Sequence, residues 1–137
     1  MFMFFRRLKI KSAIKDDNLE LFMKVINLNN KSELEKYLSL SAECGSIKIV
    51  KYLCNFDIDL NVKDKLGRMP IMYASAFGYF DILKLLFSKT KTFDVQDKKG
   101  VTPLMFSISN DREEIFNYII SEGADFNKND IYGLTPL

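Results

Sequence analysis

The sequence predicts an all-α solenoid in which short helical units stack on one another. Several residue types recur at an interval of 33 residues. A fixed period in this range is typical of solenoid proteins, because each unit buries its apolar face only against its neighbours. The recurring residues are the prolines Pro70, Pro103 and Pro136, the glycines Gly67, Gly100 and Gly133, and the aspartates Asp64, Asp97 and Asp130.

Each unit opens with residues suited to a tight turn and then a helix start. In the stretch DKKGVTPL, the Asp97 side chain is suited to accept hydrogen bonds from backbone N–H groups two residues further on, and Gly100 permits a positive φ. Thr102 is a favourable N-cap residue, and Pro103 suits the first helical position, where its missing N–H costs nothing. The pattern predicts a hairpin turn that leads directly into a helix.

Two helices follow each turn. Apolar residues run from Leu104 to Ile108, and Asn110 with Asp111 breaks this first helix. The second helix, REEIFNYIISEG, places apolar residues on one face at helical spacing and ends at Gly123, which suits a left-handed conformation. Helices of about ten residues are marginal alone. Stacking between units must therefore supply most of the stability.

We predict a single domain over residues 1–137. Because its last unit supplies only a turn and a helix start, we expect the chain to be part of a longer protein with further repeats beyond Leu137. The units are a degenerate N-terminal helix pair at 1–30, full repeats at 31–63, 64–96 and 97–129, and a truncated repeat start at 130–137.

These units resemble the ankyrin repeat. In that family, T-P-L-H-x-A opens the first helix of the repeat and G-A-D-V-N closes the repeat. The matching stretches are GVTPLMFS, GLTPL, GRMPIMYASAFG and EGADFNKND, and the resemblance covers Ser12 to Leu137. It implies a hairpin and a helix-turn-helix in each unit. It also implies a non-catalytic module that binds a protein partner.

Five residues depart from the family pattern within the repeats. Met72 and Met105 stand where the family has histidine, so a hydrogen bond that ties loops together is missing. Met69 replaces the N-cap threonine, which removes about 1 kcal/mol of capping. Asp111 replaces a glycine between the helices of its unit. Thr90 replaces the glycine that ends the second helix, and a β-branched residue resists positive φ. We therefore predict an irregular loop at Lys89–Phe93.

The first helix pair departs more strongly. Asp17 aligns with Gly45 at an interval of 28 residues, so five residues are lost relative to the period. We therefore predict that no full hairpin forms around Asn27–Lys31. Ser32 and Glu35 have the spacing of a capping box, which is suitable for the start of the next helix.

The composition argues against several classes of function. The net charge of +2 is too small for the strongly basic face of a nucleic-acid-binding protein, so no nucleic-acid partner is expected. The chain contains no histidine, which excludes serine–histidine and cysteine–histidine catalysis within it and leaves a zinc site incomplete. We predict that Cys44 and Cys54 are reduced and structural, and that the chain is not an enzyme and binds no cofactor.

The repeated aspartates admit a second interpretation. In a stacked array, Asp64, Asp97 and Asp130 lie in a row one layer apart, where carboxylates can line a metal or acid–base site. Turn capping explains all three without a ligand. We therefore predict that they stabilise turns, with no metal site.

The N-terminal stretch MFMFFRRLKI places an apolar run before two arginines. A signal peptide has the opposite order, and a membrane-spanning helix needs about 20 apolar residues. We therefore predict neither a signal peptide nor a membrane span. We expect this strip to cover the end of the core, with a short membrane-touching tail as the alternative. The absence of a targeting signal favours the cytoplasm and leaves the nucleus open.

Ankyrin proteins bind through hairpin tips and the concave face of the first helices, and the resemblance places candidate residues there. Lysines and an arginine at the hairpins form a basic stripe, which favours an acidic partner. Exposed apolar and aromatic residues are suited to be binding hot spots. The alternative is that the chain is the regulatory or targeting arm of a larger enzyme, of kinase or ubiquitin-ligase type, with its catalytic part beyond Leu137. The candidate protein-binding residues are Lys65, Leu66, Arg68, Phe77, Lys98, Lys99, Val101, Asn110 and Tyr132.

Overall fold

Apolar residues at helical spacing form eight helices in residues 1–136, the part of the chain that the computed structural model describes. No strand occurs in that range, so the predicted all-α repeat solenoid is confirmed. The helices are α1 (Phe2–Lys15), α2 (Leu19–Val25), α3 (Lys31–Cys44), α4 (Ile47–Leu53), α5 (Pro70–Phe77), α6 (Phe80–Thr90), α7 (Pro103–Ser109) and α8 (Glu113–Ser121).

The helices pack as pairs in two rows. Helices α1, α3, α5 and α7 contact one another in sequence and form the inner row, while α2, α4 and α6 form the outer row. Helix α8 joins the outer row through Tyr118, whose ring packs edge-on against Phe80 and Phe87 of α6. Fully buried aliphatic side chains such as Leu38 and Leu83 fill the space between the rows. Each inner pair is thus covered on both sides by its neighbours, as the period requires.

The predicted hairpin turns are present. Asp97 Oδ1 accepts hydrogen bonds from the N–H groups of Lys99 (2.8 Å) and Val101 (2.9 Å), and Gly100 has a φ of 75°. Asp64 and Asp130 make the same pair of bonds in their own turns. The carboxylates are therefore occupied as turn caps. Residues 1–136 contain no cluster of acidic or cysteine side chains that could hold a metal ion.

The helix starts follow the predicted capping chemistry. Thr102 Oγ1 accepts a hydrogen bond from Met105 N at 3.2 Å, and Pro103 is the first residue of α7. Met69 stands at the equivalent N-cap position of α5, buried and without a side-chain hydrogen bond. The missing cap of α5 is therefore confirmed.

The predicted capping box at Ser32 and Glu35 is wrong. Helix α3 begins at Lys31, and Asn30 Oδ1 caps it by accepting from Glu33 N at 3.0 Å. Asparagine is one of the best N-cap residues, so the helix starts at the earlier position and Ser32 becomes helical. Glu35 instead accepts a hydrogen bond from the backbone N–H of Asp59 at 2.9 Å. A short turn at 27–30 replaces a hairpin, as predicted.

The irregular loop predicted at Lys89–Phe93 begins later than expected. Helix α6 continues through Thr90, and Lys91 takes the left-handed conformation with a φ of 58°. An unbranched lysine adopts this conformation at lower cost than threonine, so the helix extends past the β-branched residue. The segment then returns to the core, where Phe93 is buried and stacks on Phe87 with ring centroids 4.2 Å apart.

Aspartate replaces glycine at two left-handed positions between paired helices. Asp17 and Asp111 have φ values of 47° and 54°, whereas Gly45 and Gly78 serve this role in the other pairs. Only Asp17 combines the conformation with a cap, because its carboxylate accepts from the N–H groups of Lys48 and Ile49 at the start of α4, each at 3.2 Å. The two aspartates therefore carry similar backbone strain but unequal compensation.

We expect glycine substitutions at these two aspartates to change stability in opposite directions. Asp111→Gly removes backbone strain and no capping bond, so the free energy of unfolding should rise by about 0.5 kcal/mol. Asp17→Gly removes the cap of α4, so the free energy of unfolding should fall by about 1 kcal/mol. Urea titration of both variants measures the difference, and shifts of the same sign would contradict the role given to Asp17.

The apolar strip at the N-terminus does not cover the core, contrary to the sequence-based expectation. Met1, which precedes α1, and the first helical residues Phe2–Phe5 are all exposed to solvent. The core of this helix pair is closed instead by Ile10, Ala13 and Ile14, which lie further along α1. None of the eight helices in residues 1–136 is both long and apolar enough to cross a membrane.

Candidate protein-binding surface

The hairpin tips form a continuous surface because the backbone links each one to the next. Lys98 N donates to Leu66 O at 3.0 Å, and the equivalent bond one repeat later joins Ile131 N to Lys99 O at 2.8 Å. The same register therefore holds between all three tips. It aligns Leu66, Lys99 and Tyr132 in one row.

Two rows of side chains on these tips face solvent. The first contains Lys65 and Lys98, both exposed, and continues to Ile131. In the second, Leu66 is 53% exposed and Tyr132 is 73% exposed, with the exposed Lys99 between them. The structure thus brings together five of the candidate residues as a strip of mixed basic and apolar character.

In the third row, Leu134 is exposed but the first two residues are partly covered within the array. The Arg68 guanidinium lies over the Phe106 ring, 5.2 Å from its centroid, and its Nε is 3.7 Å from Asp97 Oδ2, an ion-pair distance. Val101, the equivalent residue of the next tip, is half-buried. Arg68 therefore links the second and third repeats, and it is less available to a partner than the lysines beside it.

The remaining two candidates lie away from the tips. Phe77 and Asn110 occupy equivalent positions at the ends of α5 and α7, roughly 12 Å from the hairpins at 1.5 Å per helical residue. Phe77 is 45% exposed. Asn110 is also exposed, although its Nδ2 group donates to Phe106 O at 2.8 Å and so caps the end of α7.

A set of aromatic rings connects Phe77 to the hairpins. The Phe77 ring stacks parallel to Tyr73 at 6.5 Å and contacts Tyr79 at 6.2 Å. The Tyr73 hydroxyl donates a hydrogen bond to Asp64 Oδ2 in the hairpin that precedes its helix. The side chains between the tip and the concave face are therefore held in fixed relative positions.

A groove of about 330 Å³ lies on the concave side between the first two full repeats. Residues of α3, the following hairpin and α5 line it, and they include charges of both signs. Sequence reasoning did not identify this groove, because it depends on how α3 and α5 pack. One feature of the sequence could have indicated the groove, namely the tyrosine nine residues after the turn aspartate, Tyr73 after Asp64. The principal lining side chains are Glu35, Lys36, Glu43, Lys63 and Tyr73.

The contact between Asp64 and Tyr73 shifts the pKa of both groups. Burial raises the pKa of the Asp64 carboxyl, but hydrogen bonds from Tyr73, Arg68 N and Leu66 N outweigh it, and the pKa is lowered. Burial, and then the bond to Asp64, raise the pKa of Tyr73 to about 12. Both shifts favour the form in which a neutral hydroxyl donates to a carboxylate.

We expect Tyr73→Phe to lower the free energy of unfolding by about 1 kcal/mol at pH 7, because it removes this donor. The depressed Asp64 pKa stabilises the fold above its unfolded value of about 3.9, and this contribution is lost as pH falls through the folded pKa. The raised Tyr73 pKa contributes fully below pH 10 and is lost as pH rises to about 12.

Urea titrations of the wild type and Tyr73→Phe from pH 7 to pH 2 test this prediction. The stability difference should narrow as Asp64 becomes protonated. Tyr79→Phe is the matched control, because the Tyr79 ring also contacts Phe77, whereas the hydroxyl bonded to Asp64 is that of Tyr73. A difference that stays constant across this pH range would contradict the hydrogen bond to the carboxylate.

The two cysteines are free thiols. Burial is the main reason that the pKa of each thiol is raised, and the neighbouring Glu43 adds to this at Cys44. A raised pKa disfavours the thiolate, which is the nucleophilic form. Neither cysteine therefore has the environment of a reactive thiol.

Comparison with known proteins agrees with this architecture. The family model described as ankyrin repeats (3 copies) matches residues 10–97 and 38–130. The chain is also 34% identical over 76 residues to the ankyrin and IPT/TIG repeat-containing protein of Schizosaccharomyces pombe. That alignment covers 56% of this chain and 6% of the length of the fungal protein. The chain belongs to the ankyrin-repeat family.

Proposed function

We propose that the chain binds a protein partner through its hairpin tips and the concave ends of its first helices. Ankyrin repeats are generally non-catalytic modules for protein–protein interaction. The observation that carries the proposal is the exposed strip of Leu66, Lys99 and Tyr132, which inter-hairpin hydrogen bonds hold in register.

Rigidity makes this surface suitable for binding. Side chains that are already ordered lose less conformational entropy when a partner binds, so binding is more favourable. Phe77 is held between Tyr73 and Tyr79, yet nearly half of it remains open to solvent. Aromatic residues in such positions are frequent hot spots, and truncating one costs about 2 kcal/mol or more of binding free energy.

The lysines of the strip define the chemistry of the proposed partner. Lys65, Lys98 and Lys99 are exposed on adjacent tips, and the carboxylates of Asp64 and Asp97 are already occupied by the turns. A partner with acidic side chains next to an apolar one would complement this strip. Such charges mainly raise the association rate, so the affinity should weaken with salt.

A binding assay with the triple variant Phe77→Ala, Lys65→Ala and Lys98→Ala tests the proposal. A partner captured with the immobilised chain and then purified should bind this variant at least about 30-fold more weakly than the wild type, from the loss of one hot spot and two charges. The measurement is the Kd by calorimetry, at low and high salt. Unchanged affinity would overturn the proposed surface.

A second triple variant controls for general effects of truncation. Met23→Ala, Lys51→Ala and Lys89→Ala removes one exposed apolar residue and two exposed lysines from α2, α4 and α6. These helices form the outer row, on the other side of the core from the hairpin side. The affinity of this control for the partner should match that of the wild type.

The alternative function, a regulatory or targeting arm of a larger enzyme, makes a different prediction. The fungal relative shows that an ankyrin segment of this kind occurs within a much longer protein, since the alignment covers 6% of it. Reading the gene onward from Leu137 discriminates between the two functions. A following domain with catalytic residues would favour the arm, whereas further repeats would favour the binding module.

A further inference from the structure

The first half of α1 presents an apolar surface to solvent that the repeat fold does not use. The side chains of Phe2, Phe4 and Phe5 are 91%, 62% and 55% exposed, and Leu8 is exposed beside them. The rings of Phe4 and Phe5 contact each other edge to face at 6.0 Å. Three neighbouring phenylalanines in water are an unusual feature of a folded domain.

The exposure follows from unequal helix lengths. Helix α1 has 14 residues and α2 has 7, so α1 is roughly 21 Å long and its partner roughly 10 Å. Ile10, Ala13 and Ile14 form the buried face, all in the second half of α1. The first turn of α1 therefore extends beyond the end of α2, and its phenylalanine side chains remain uncovered.

Arg6 fixes this overhanging segment relative to the array. Its Nε donates to Val25 O at 2.7 Å, and its Nη2 bonds to Glu33 Oε2 at 3.1 Å. These contacts tie α1 to the end of α2 and to the first turn of α3. The phenylalanines thus stand on an anchored helix.

Helical spacing places three of the exposed apolar residues opposite the buried face, whereas Phe2 lies on the buried side of the helix, beyond the end of the core. At about 100° per residue, Phe4, Phe5 and Leu8 point away from Ile10. Basic residues flank this outer face, and all of them are exposed. Binding at a membrane interface gains from buried apolar area and from attraction to anionic lipids, and this segment offers exposed side chains for both. The flanking residues are Arg7, Lys9 and Lys11, and Lys15 lies on the same side of the helix about two turns beyond Leu8.

Charge is segregated toward this end of the chain. The first 15 residues contain five of the 20 basic residues and no acidic residue, whereas the remainder holds 15 basic and 18 acidic residues. The N-terminal segment is thus strongly positive and the rest of the chain is slightly negative. This distribution would repel a second copy that docks through the same face.

We propose that the first half of α1 binds the surface of an anionic lipid bilayer. Its phenylalanines would insert at the boundary between headgroups and acyl chains, while Arg7, Lys9 and Lys11 would contact the lipid phosphates and carboxylates. Duplex nucleic acid, with its bases already stacked, would satisfy the cations but not the phenyl rings. A bilayer satisfies both, and this contact would leave the hairpin tips, which lie on other repeats, free for a partner.

Tryptophan fluorescence tests the proposal, because the chain contains no tryptophan. A Phe4→Trp variant carries a single probe on the proposed contact. Its emission should shift to the blue on adding vesicles of phosphatidylcholine and phosphatidylserine, and much less with phosphatidylcholine alone. A Tyr132→Trp variant places the probe on a hairpin tip, and its emission should not shift. Absence of a shift from Phe4→Trp on the anionic vesicles would overturn the proposal.

Vesicle co-sedimentation separates the contribution of the lysines to membrane binding from that of the phenylalanines. Lys9→Gln with Lys11→Gln should weaken partitioning about 25-fold, at about fivefold per cation, while Lys98→Gln with Lys99→Gln should leave it unchanged. Phe4→Ser with Phe5→Ser should weaken it at least about tenfold per ring, while Ile131→Ser with Leu134→Ser should not.

Two further measurements test the alternative ligands of this face, duplex DNA and a second copy of the chain. Duplex DNA that binds the chain and prevents vesicle binding equally well in the wild type and in Phe4→Ser with Phe5→Ser would show a purely electrostatic site. Sedimentation equilibrium that reports a dimer dissociated by the same serine substitutions would show a self-association face. Either result would overturn the proposal, whereas a monomer that binds vesicles and requires both phenylalanines would support it.

Discussion

Replacing Leu83 with alanine should lower the free energy of unfolding by about 2–5 kcal/mol and the Tm by roughly 10 °C. Leu83 lies in α6 at the centre of the array and is fully buried. The substitution removes apolar contacts and leaves a cavity that the surrounding helices fill only in part. Because a domain of this size is stabilised by about 5–15 kcal/mol, the loss is a large fraction of the total.

Leu66→Ala is the matched control for this prediction. It makes the same chemical change on a hairpin tip, where Leu66 is more than half exposed, and it should alter stability by less than about 0.5 kcal/mol. Thermal unfolding followed by circular dichroism measures both variants. Similar losses from the two substitutions would contradict the division between a buried interior and a surface left for binding.

Gly67→Ala should cost about 3 kcal/mol or more. Gly67 has a φ of 73°, where an alanine is strained by about 1–2 kcal/mol. An added Cβ atom would also lie 2.8 Å from the backbone nitrogen of Lys98, which donates to Leu66 O. Backbone cannot move aside as a flexible side chain can. The hydrogen bond between neighbouring hairpins would therefore be disrupted.

Gly123→Ala separates the two contributions. Gly123 has a φ of 81°, but nothing lies within 4 Å of the position that a Cβ would occupy. Its substitution should cost about 1–2 kcal/mol, from the backbone conformation alone. Equal costs for Gly67→Ala and Gly123→Ala, measured in urea, would show that the close approach of the hairpins contributes nothing to stability.

Much of the fold could be predicted from the sequence because the decisive interactions are local. The Asp97 carboxylate bonds N–H groups two and four residues away, and Thr102 caps a helix within the next turn. Such contacts depend on spacing along the chain and hardly on tertiary structure. Repetition at 33 residues then implies stacking, since one unit cannot bury its apolar face alone.

The errors arose where alternatives were close in energy or where packing decided the outcome. Asn30 and Ser32 are both good N-cap residues, and the preceding short turn favours the earlier one. At the end of α6, the helix extends by one residue, so that Lys91 and not Thr90 adopts the positive φ. Local pattern alone does not decide between such neighbours.

The candidate surface was predicted only in outline. Family resemblance indicated the hairpin tips, but the engagement of Arg68 with Phe106 and Asp97 depends on contacts between repeats. The exposure of the N-terminal phenylalanines depends on α1 being longer than α2, a property of their packing. Neither the engagement of Arg68 nor the exposure of the phenylalanines is encoded by a short motif, so neither could be predicted from spacing along the chain.

Site-specific photo-crosslinking tests the proposed binding surface most directly. p-Benzoylphenylalanine would replace Phe77 on the concave side, Tyr132 on a hairpin tip and Met23 on the outer row, all exposed positions. Irradiation in the presence of the purified partner should crosslink it from Phe77 and from Tyr132, and not from Met23. A partner that crosslinks from Met23 but from neither of the other positions would contradict binding through the hairpin and concave surface.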